Sequence, residues 1–169
     1  MDRDEERLRE LCDLREIEQV ILRLARATDR RDSAAIRACY HPDAVDDHGA
    51  FRGSAADFAE WVPKTLAIFS ATQHFLSPPR IELAGDAARC ETTCTAHHLF
   101  PPEDPGGARD SIMGLRYVDR FERRDGAWRI ARRTCIWDYS YIVPAGDRWP
   151  FGPDYQLGRP GPDDPSNAI

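Results

Sequence analysis

The sequence runs to 169 residues, enough for one domain that buries roughly two-thirds of its unfolded surface. With 41% hydrophobic and 31% charged residues, it is neither a fibrous nor a disordered chain. The net charge is −6 and the 23 Lys and Arg are scattered, which argues against nucleic acid as a partner. No apolar run approaches the ~20 residues of a membrane span.

The first six residues, Met1-Asp2-Arg3-Asp4-Glu5-Glu6, lack the apolar core of a signal peptide, which predicts a cytoplasmic protein. Leu8, Leu11, Leu14, Ile17, Val20, Ile21 and Leu24 then recur every three or four residues, predicting a helix over about 5–28. Asp32 or Ser33 suits the N-cap of a second helix, 34–40, ended by His41-Pro42-Asp43. Residues 44–47 and 51–52 read as a short strand pair around His48-Gly49. Ser54-Ala55-Ala56-Asp57 resembles a capping box for a third helix over about 55–70, with Pro63 expected to kink it or mark its start.

Strand patterns follow over about 72–77, 80–84, 87–100, 111–124 and 127–139. Asp125-Gly126 is a strong hairpin signal between the last two. The stretch 101–109 is a Pro/Gly-rich loop. The division is therefore a domain over 1–142 and a Pro/Gly-rich tail over 143–169. The tail's Trp149, Phe151, Tyr155 and Leu157 are apolar enough to pack on the body or on a neighbouring subunit. Helices first and a long sheet afterwards predict an α+β fold, with the helices covering one face of a curved antiparallel sheet and enclosing a pocket.

Five dispersed cysteines (Cys12, Cys39, Cys90, Cys94, Cys135) do not suggest a disulfide framework. They read as buried thiols, Cys90 and Cys94 sharing one strand face.

Several polar residues break their local pattern. Asp29 closes the first helix, where the helix dipole disfavours an anion by a few tenths to ~1 kcal/mol. His74 shares a strand face with Thr72 and Leu76, and imidazole is the side chain best suited to proton transfer near neutral pH. Arg133 falls in a stripe with Ala131, Cys135, Trp137 and Tyr139, where it needs an anionic partner, either a protein carboxylate or charge developing on a substrate. In Asp46-Asp47-His48 strand neighbours point to opposite faces, so a metal site is not expected, and Asp46 is the inward carboxylate. His97 and His98 read as structural.

The segments Tyr40-His41-Pro42-Asp43-Ala44-Val45-Asp46-Asp47-His48-Gly49 and Arg116-Tyr117-Val118-Asp119-Arg120-Phe121-Glu122-Arg123-Arg124-Asp125-Gly126-Ala127-Trp128-Arg129-Ile130 resemble the SnoaL-like group of the nuclear-transport-factor-2-like superfamily, over about residues 10–140. The resemblance implies a cone-shaped fold with a deep pocket. It leaves the reaction open, because the fold serves dehydratases, isomerases, cyclases, a dehydrochlorinase, dioxygenase small subunits and non-catalytic binders.

The sequence is most similar to the branch of lindane dehydrochlorinase, scytalone dehydratase and bile-acid dehydratase. That likeness implies an Asp29–His74 dyad, a pocket Arg133, and a pocket wall that includes Asp46, Phe69, Tyr117 and Cys135. Trp137 joins that wall from the stripe of Arg133. The Lys or Tyr often found about one and a half turns before the Asp falls here near Leu24. The implied function is a cofactor-free lyase or isomerase acting on a small apolar, cyclic molecule, in a homotrimer or homodimer, with no metal. A binding or accessory subunit and a polyketide or terpenoid cyclase are the alternatives.

Overall fold

In a computed structural model of the protein, the structure is described for residues 2–168. Helix α1 (Arg3–Asp29) is followed by α2 (Ser33–Ala38), β1 (Tyr40–Asp47), β2 (Arg52–Ser54) and α3 (Ala55–Leu66). Five further strands complete the body: β3 (Ala71–Leu76), β4 (Arg80–Ala84), β5 (Ala87–Phe100), β6 (Arg109–Arg124) and β7 (Ala127–Pro144). The fold is α+β, as expected. The seven strands form one sheet in the order β2-β1-β7-β6-β5-β3, with β4 also on β5. All pairs are antiparallel except β1 with β7, which run parallel.

The core lies between the helices and one sheet face. Ile17, Val20, Ile21 and Leu24 of α1 pack with Ile36, Phe58 and Val62 against Cys90, Phe121, Trp128 and Ile130 of the sheet. The apolar stripe of α1 is buried only from Ile17 onward; Leu8 and Leu11 are each 63% exposed. The hairpin at Asp125-Gly126 has φ values of 53° and 77°, the left-handed pair of a type I′ turn.

Several boundaries differ from the sequence reading. The second helix stops at Ala38, and Tyr40 opens β1 instead, its ring buried and its backbone paired with Ile130. Pro42 is tolerated there because the β1–β7 register shifts between Tyr40 and Val45, so its missing N–H breaks no ladder bond. The third helix ends at Leu66, not near 70, and carries Pro63 within its last turn and a half. Ser54 caps it, its Oγ accepting the Asp57 N–H at 3.1 Å. The last strand runs on to Pro144, past the expected end at 139.

Two irregularities also re-sort the stripe around Arg133. The β6–β7 register shifts between Arg120 and Phe121 and again between Gly114 and Leu115. Ala131 is left in the first bulge, and the second turns Tyr139 to the opposite face. There Tyr139 lies across Gly114, where an added Cβ would come within 2.2 Å of its ring. Arg133, Cys135 and Trp137 remain together on the inner face.

The tail returns to the body at its end. The Gly161 N–H donates to the Arg30 carbonyl at 2.7 Å, and Asp164 contacts the Arg30 guanidinium at 3.3 Å.

Candidate functional site

The helices and the concave sheet face enclose a cavity of about 270 Å³. Its wall is mostly apolar: Phe58, Trp61, Val62 and Leu66 of α3, then Phe69, with Ala96, Met113, Leu115 and Trp137 from the sheet. Into this surface project His48, His74, His98, Tyr117 and Arg133.

Asp29 is the last residue of α1, and the chain turns away after it through Arg31, a non-glycine residue at φ 55°. Its carboxylate makes two hydrogen bonds to one residue. Oδ1 lies 2.7 Å from His74 Nδ1, and Oδ2 accepts the His74 backbone N–H at 3.0 Å. That N–H points away from β5 at the free edge of β3, so Asp29 also closes an open strand edge. With Nδ1 held by a carboxylate, His74 keeps Nε2 for the cavity.

Arg133 is 4% exposed and Asp119, its cross-strand partner, 1%. The two form a bidentate pair, Nε to Oδ1 and Nη2 to Oδ2, both at 2.7 Å. Burial works against the Arg133 charge, but Asp119 outweighs it and holds the guanidinium well above its ordinary range. The anionic partner that the sequence demanded is thus a protein carboxylate. Nη1 remains free of Asp119, and the guanidinium lies 4.1 Å from the centre of the Tyr117 ring. Burial also pushes the Tyr117 hydroxyl well above its usual range, so it is a neutral group at physiological pH.

A second Asp–His pair stands at the end of β1. Asp46 is fully buried, accepts the Tyr40 hydroxyl at 2.6 Å through Oδ2, and contacts His48 Nδ1 through Oδ1. The His48 ring stacks on Phe58, with centroids 4.6 Å apart, and faces Tyr117 at 5.8 Å. His98, packed 4.6 Å from the Phe69 ring and 5.5 Å from His74, has its pKa lowered to about 4 by burial and by the neighbouring His74.

The structure therefore brings together most of the residues picked out in the sequence. His74, Arg133, Phe69, Tyr117 and Trp137 line the cavity. Asp29, Asp46 and Cys135 stand behind that lining, Asp29 and Asp46 each holding a histidine that does line it. Leu24 is buried against the core, where it offers no polar contact. Burial pushes the Cys135 thiol up to about 12 and those of Cys90 and Cys94 to about 11, so they serve as packing groups.

Sequence reasoning missed His48 and Asp119. The i, i+2 spacing of Asp46 and His48 was the available signal for the first, since alternate strand residues share a face. Asp119 alternates with the inward Tyr117 and Phe121 in the same way. Among the described residues, no three His, Cys, Asp or Glu side chains gather as metal ligands, and no helix is long and apolar enough to cross a membrane.

An uncharacterized protein of Mycobacterium tuberculosis is 29% identical over 139 residues, 79% of this chain and 91% of that one. Among solved structures, the hexachlorocyclohexane dehydrochlorinase LinA-type3 of Novosphingobium barchaimii superposes with a TM-score of 0.70 at 15% identity, over 87% of this chain and 99% of that one. A candidate scytalone dehydratase from Novosphingobium aromaticivorans gives 0.68 at 20% identity, over 82% and 91%. At these identities the structural likeness shows the fold alone. The model of the SnoaL-like domain, however, matches residues 9–134, three-quarters of the chain, and the protein therefore belongs to the SnoaL-like domain family, with the NTF2-like fold.

Proposed function

We propose that this protein is a cofactor-free acid–base enzyme, a dehydratase-like lyase or an isomerase, acting on a small apolar, cyclic molecule. The observation that carries this reading is the 2.7 Å contact between Asp29 and His74 Nδ1, on a histidine whose ring lines an apolar cavity. His74 Nε2 takes a proton from carbon. Asp29 fixes the tautomer and stabilises the imidazolium that forms, as the acid of a serine-protease triad does for its histidine. Arg133 contributes hydrogen bonding from Nη1 more than net charge, since Asp119 already neutralises it. With the Tyr117 hydroxyl it steadies negative charge on an enolate or leaving group, in a dry site where such a donor counts for more than in water.

An accessory or binding subunit would be expected to keep Asp29 and His74 apart; their contact favours chemistry. Self-association is part of the proposal, as a trimer or dimer. The outer sheet face exposes Phe75, Ile136, Tyr139 and Tyr141, and Phe75 is 73% exposed. Sedimentation velocity that shows only monomer removes this part.

The test of the dyad is His74→Gln, assayed on ketone substrates by elimination or by exchange of the α-proton. A positioned base of this kind supplies ~10²–10⁴ in rate, and kcat should fall by that factor. Full activity in the variant would remove His74 as the base.

A further inference from the structure

We infer that His48, held by Asp46 and Tyr40, is a second proton-transfer residue of the cavity, which protonates the group that leaves the substrate while His74 takes a proton from carbon. This rests on the acid–base reading above and extends it to the far side of the site.

His48 and His74 sit near opposite edges of one sheet. Four strand spacings separate β1 from β3, about 19 Å along the sheet surface. The curvature of the sheet brings both rings to the same cavity of about 270 Å³. A molecule filling that space meets an imidazole from each side. Both imidazoles are built alike, with Nδ1 on a carboxylate and Nε2 left for the cavity.

A merely structural His48 does not explain the arrangement. Its backbone is already fixed, its N–H donating to the Phe51 carbonyl at 2.8 Å and its carbonyl accepting from Trp137 Nε1 at 3.3 Å. Asp46 has no exposed surface, and a buried carboxylate is costly unless it is fully engaged. Its two partners are the Tyr40 hydroxyl and the His48 ring. Asp46 thus divides its oxygens between the Tyr40 hydroxyl and the imidazole, whereas both oxygens of Asp29 go to His74.

His74 Nε2 removes the proton from the carbon beside a carbonyl, and that C–H electron pair becomes the new C=C bond. The bond from the neighbouring carbon to its hydroxyl oxygen breaks, and the hydroxyl leaves as water with the proton of His48 Nε2. His74 has gained one proton and His48 has lost one; exchange with solvent restores both. A hydroxyl needs that proton to leave, whereas a halide does not. The substrate class assigned is thus an alcohol that loses water, not an alkyl halide.

The experiment compares wild type, His48→Gln, Asp46→Asn and His74→Gln on three probes. Cyclohexanone in D₂O reports α-exchange, 3-hydroxycyclohexanone reports loss of water, and 3-chlorocyclohexanone reports loss of chloride. His74→Gln should depress all three by about a hundredfold or more. His48→Gln should lower water loss about a hundredfold, and at least about tenfold more than it lowers chloride loss or exchange. Asp46→Asn, which keeps the side-chain shape, should follow the same pattern and covers the case in which His48→Gln fails to fold. Equal effects of both variants on water and chloride, or no effect on either, overturn the role of His48 and leave the His74 reading standing. Absence of His74-dependent exchange and of any elimination overturns both.

Discussion

The two Asp–His pairs reach the same chemical arrangement by opposite routes. Asp29 and His74 are 45 residues apart and meet only when the end of α1 docks on the edge of β3. Asp46 and His48 are two residues apart at the end of β1 and need no tertiary contact to meet. The first pair is expensive locally, since Asp29 sits at the wrong end of a helix dipole, by ~0.3–1 kcal/mol. Two hydrogen bonds to the carboxylate, each contributing ~1.5–3 kcal/mol, offset that. The second pair is inexpensive to assemble but costly to bury, and Tyr40 is what makes its burial tolerable. A histidine base can thus be built from long-range packing or from strand alternation, and only the second kind is written in adjacent letters of the sequence.

What joins the two walls is the Arg133–Asp119 pair between them, on β7 and β6. Asp119→Ala leaves a buried guanidinium without its carboxylate, and breaking such a pair is worth 3–5 kcal/mol, or about that range here. Urea denaturation should show this loss; unchanged stability would mean that the walls are independent. The next largest effect concerns His98, which packs beside His74 and has no counterpart beside His48. Its folded pKa of about 4 lies below its ordinary 6.5, so the native state resists protonation. Stability is therefore full above pH 6.5 and falls as pH drops through the window from 6.5 to about 4, by about 3 kcal/mol in all. In His98→Gln that slope should disappear from denaturation midpoints measured across the window. A slope that persists would assign it to other groups.

A smaller separation is expected between Asp29→Asn and Asp46→Asn in stability. Asp29→Asn weakens two hydrogen bonds that tie a helix to a strand edge, and a loss of about 2 kcal/mol follows. It should also expose β3 amides to hydrogen exchange. Asp46→Asn replaces a buried charge by a neutral amide that still receives the Tyr40 hydroxyl, so its loss should be less than half as large. Equal losses would contradict the distinction between a tertiary and a local pair.

The same distinction explains what was readable in advance. The α+β order, the hairpin at Asp125-Gly126 and the buried half of α1 follow from periodicity and turn chemistry, which are local. Asp29, His74 and Arg133 were visible as polar residues in apolar or unfavourable positions, and the family likeness joined them. Asp119 was hidden because a pairing between strands needs their register, and two bulges in β7 shift that register. The same bulges moved Ala131 and Tyr139 out of the stripe in which simple alternation placed them. The dipeptide His41-Pro42 reads as a helix stop and so places Tyr40 in the second helix, whereas the strand begins before it. His48 is legible in its i, i+2 spacing from Asp46, because the alternation that separates Asp46 from Asp47 sets Asp46 and His48 on one side.

The smallest predicted effect tests whether the tail serves the first pair alone. Asp164 is held well down, at about 2, by the Ser166 hydroxyl, the Arg159 N–H and Ser166 backbone, and the Arg30 charge. Its contact with Arg30 lies one residue from Asp29, whereas none of its hydrogen-bond or ion-pair partners comes from β1. The contribution of this clamp is present above pH 3.8 and is lost as pH falls through about 2. Asp164→Asn should release the tail, seen as faster tryptic cleavage at Arg148, with a smaller shift in denaturation midpoint than Asp29→Asn produces. Proton abstraction by His74 should be slowed only slightly, because Asp29 keeps both of its bonds to His74 without the tail. Cleavage rates that do not change would show that the tail is held elsewhere. A large fall in exchange activity would instead make the tail a working part of the Asp29–His74 wall.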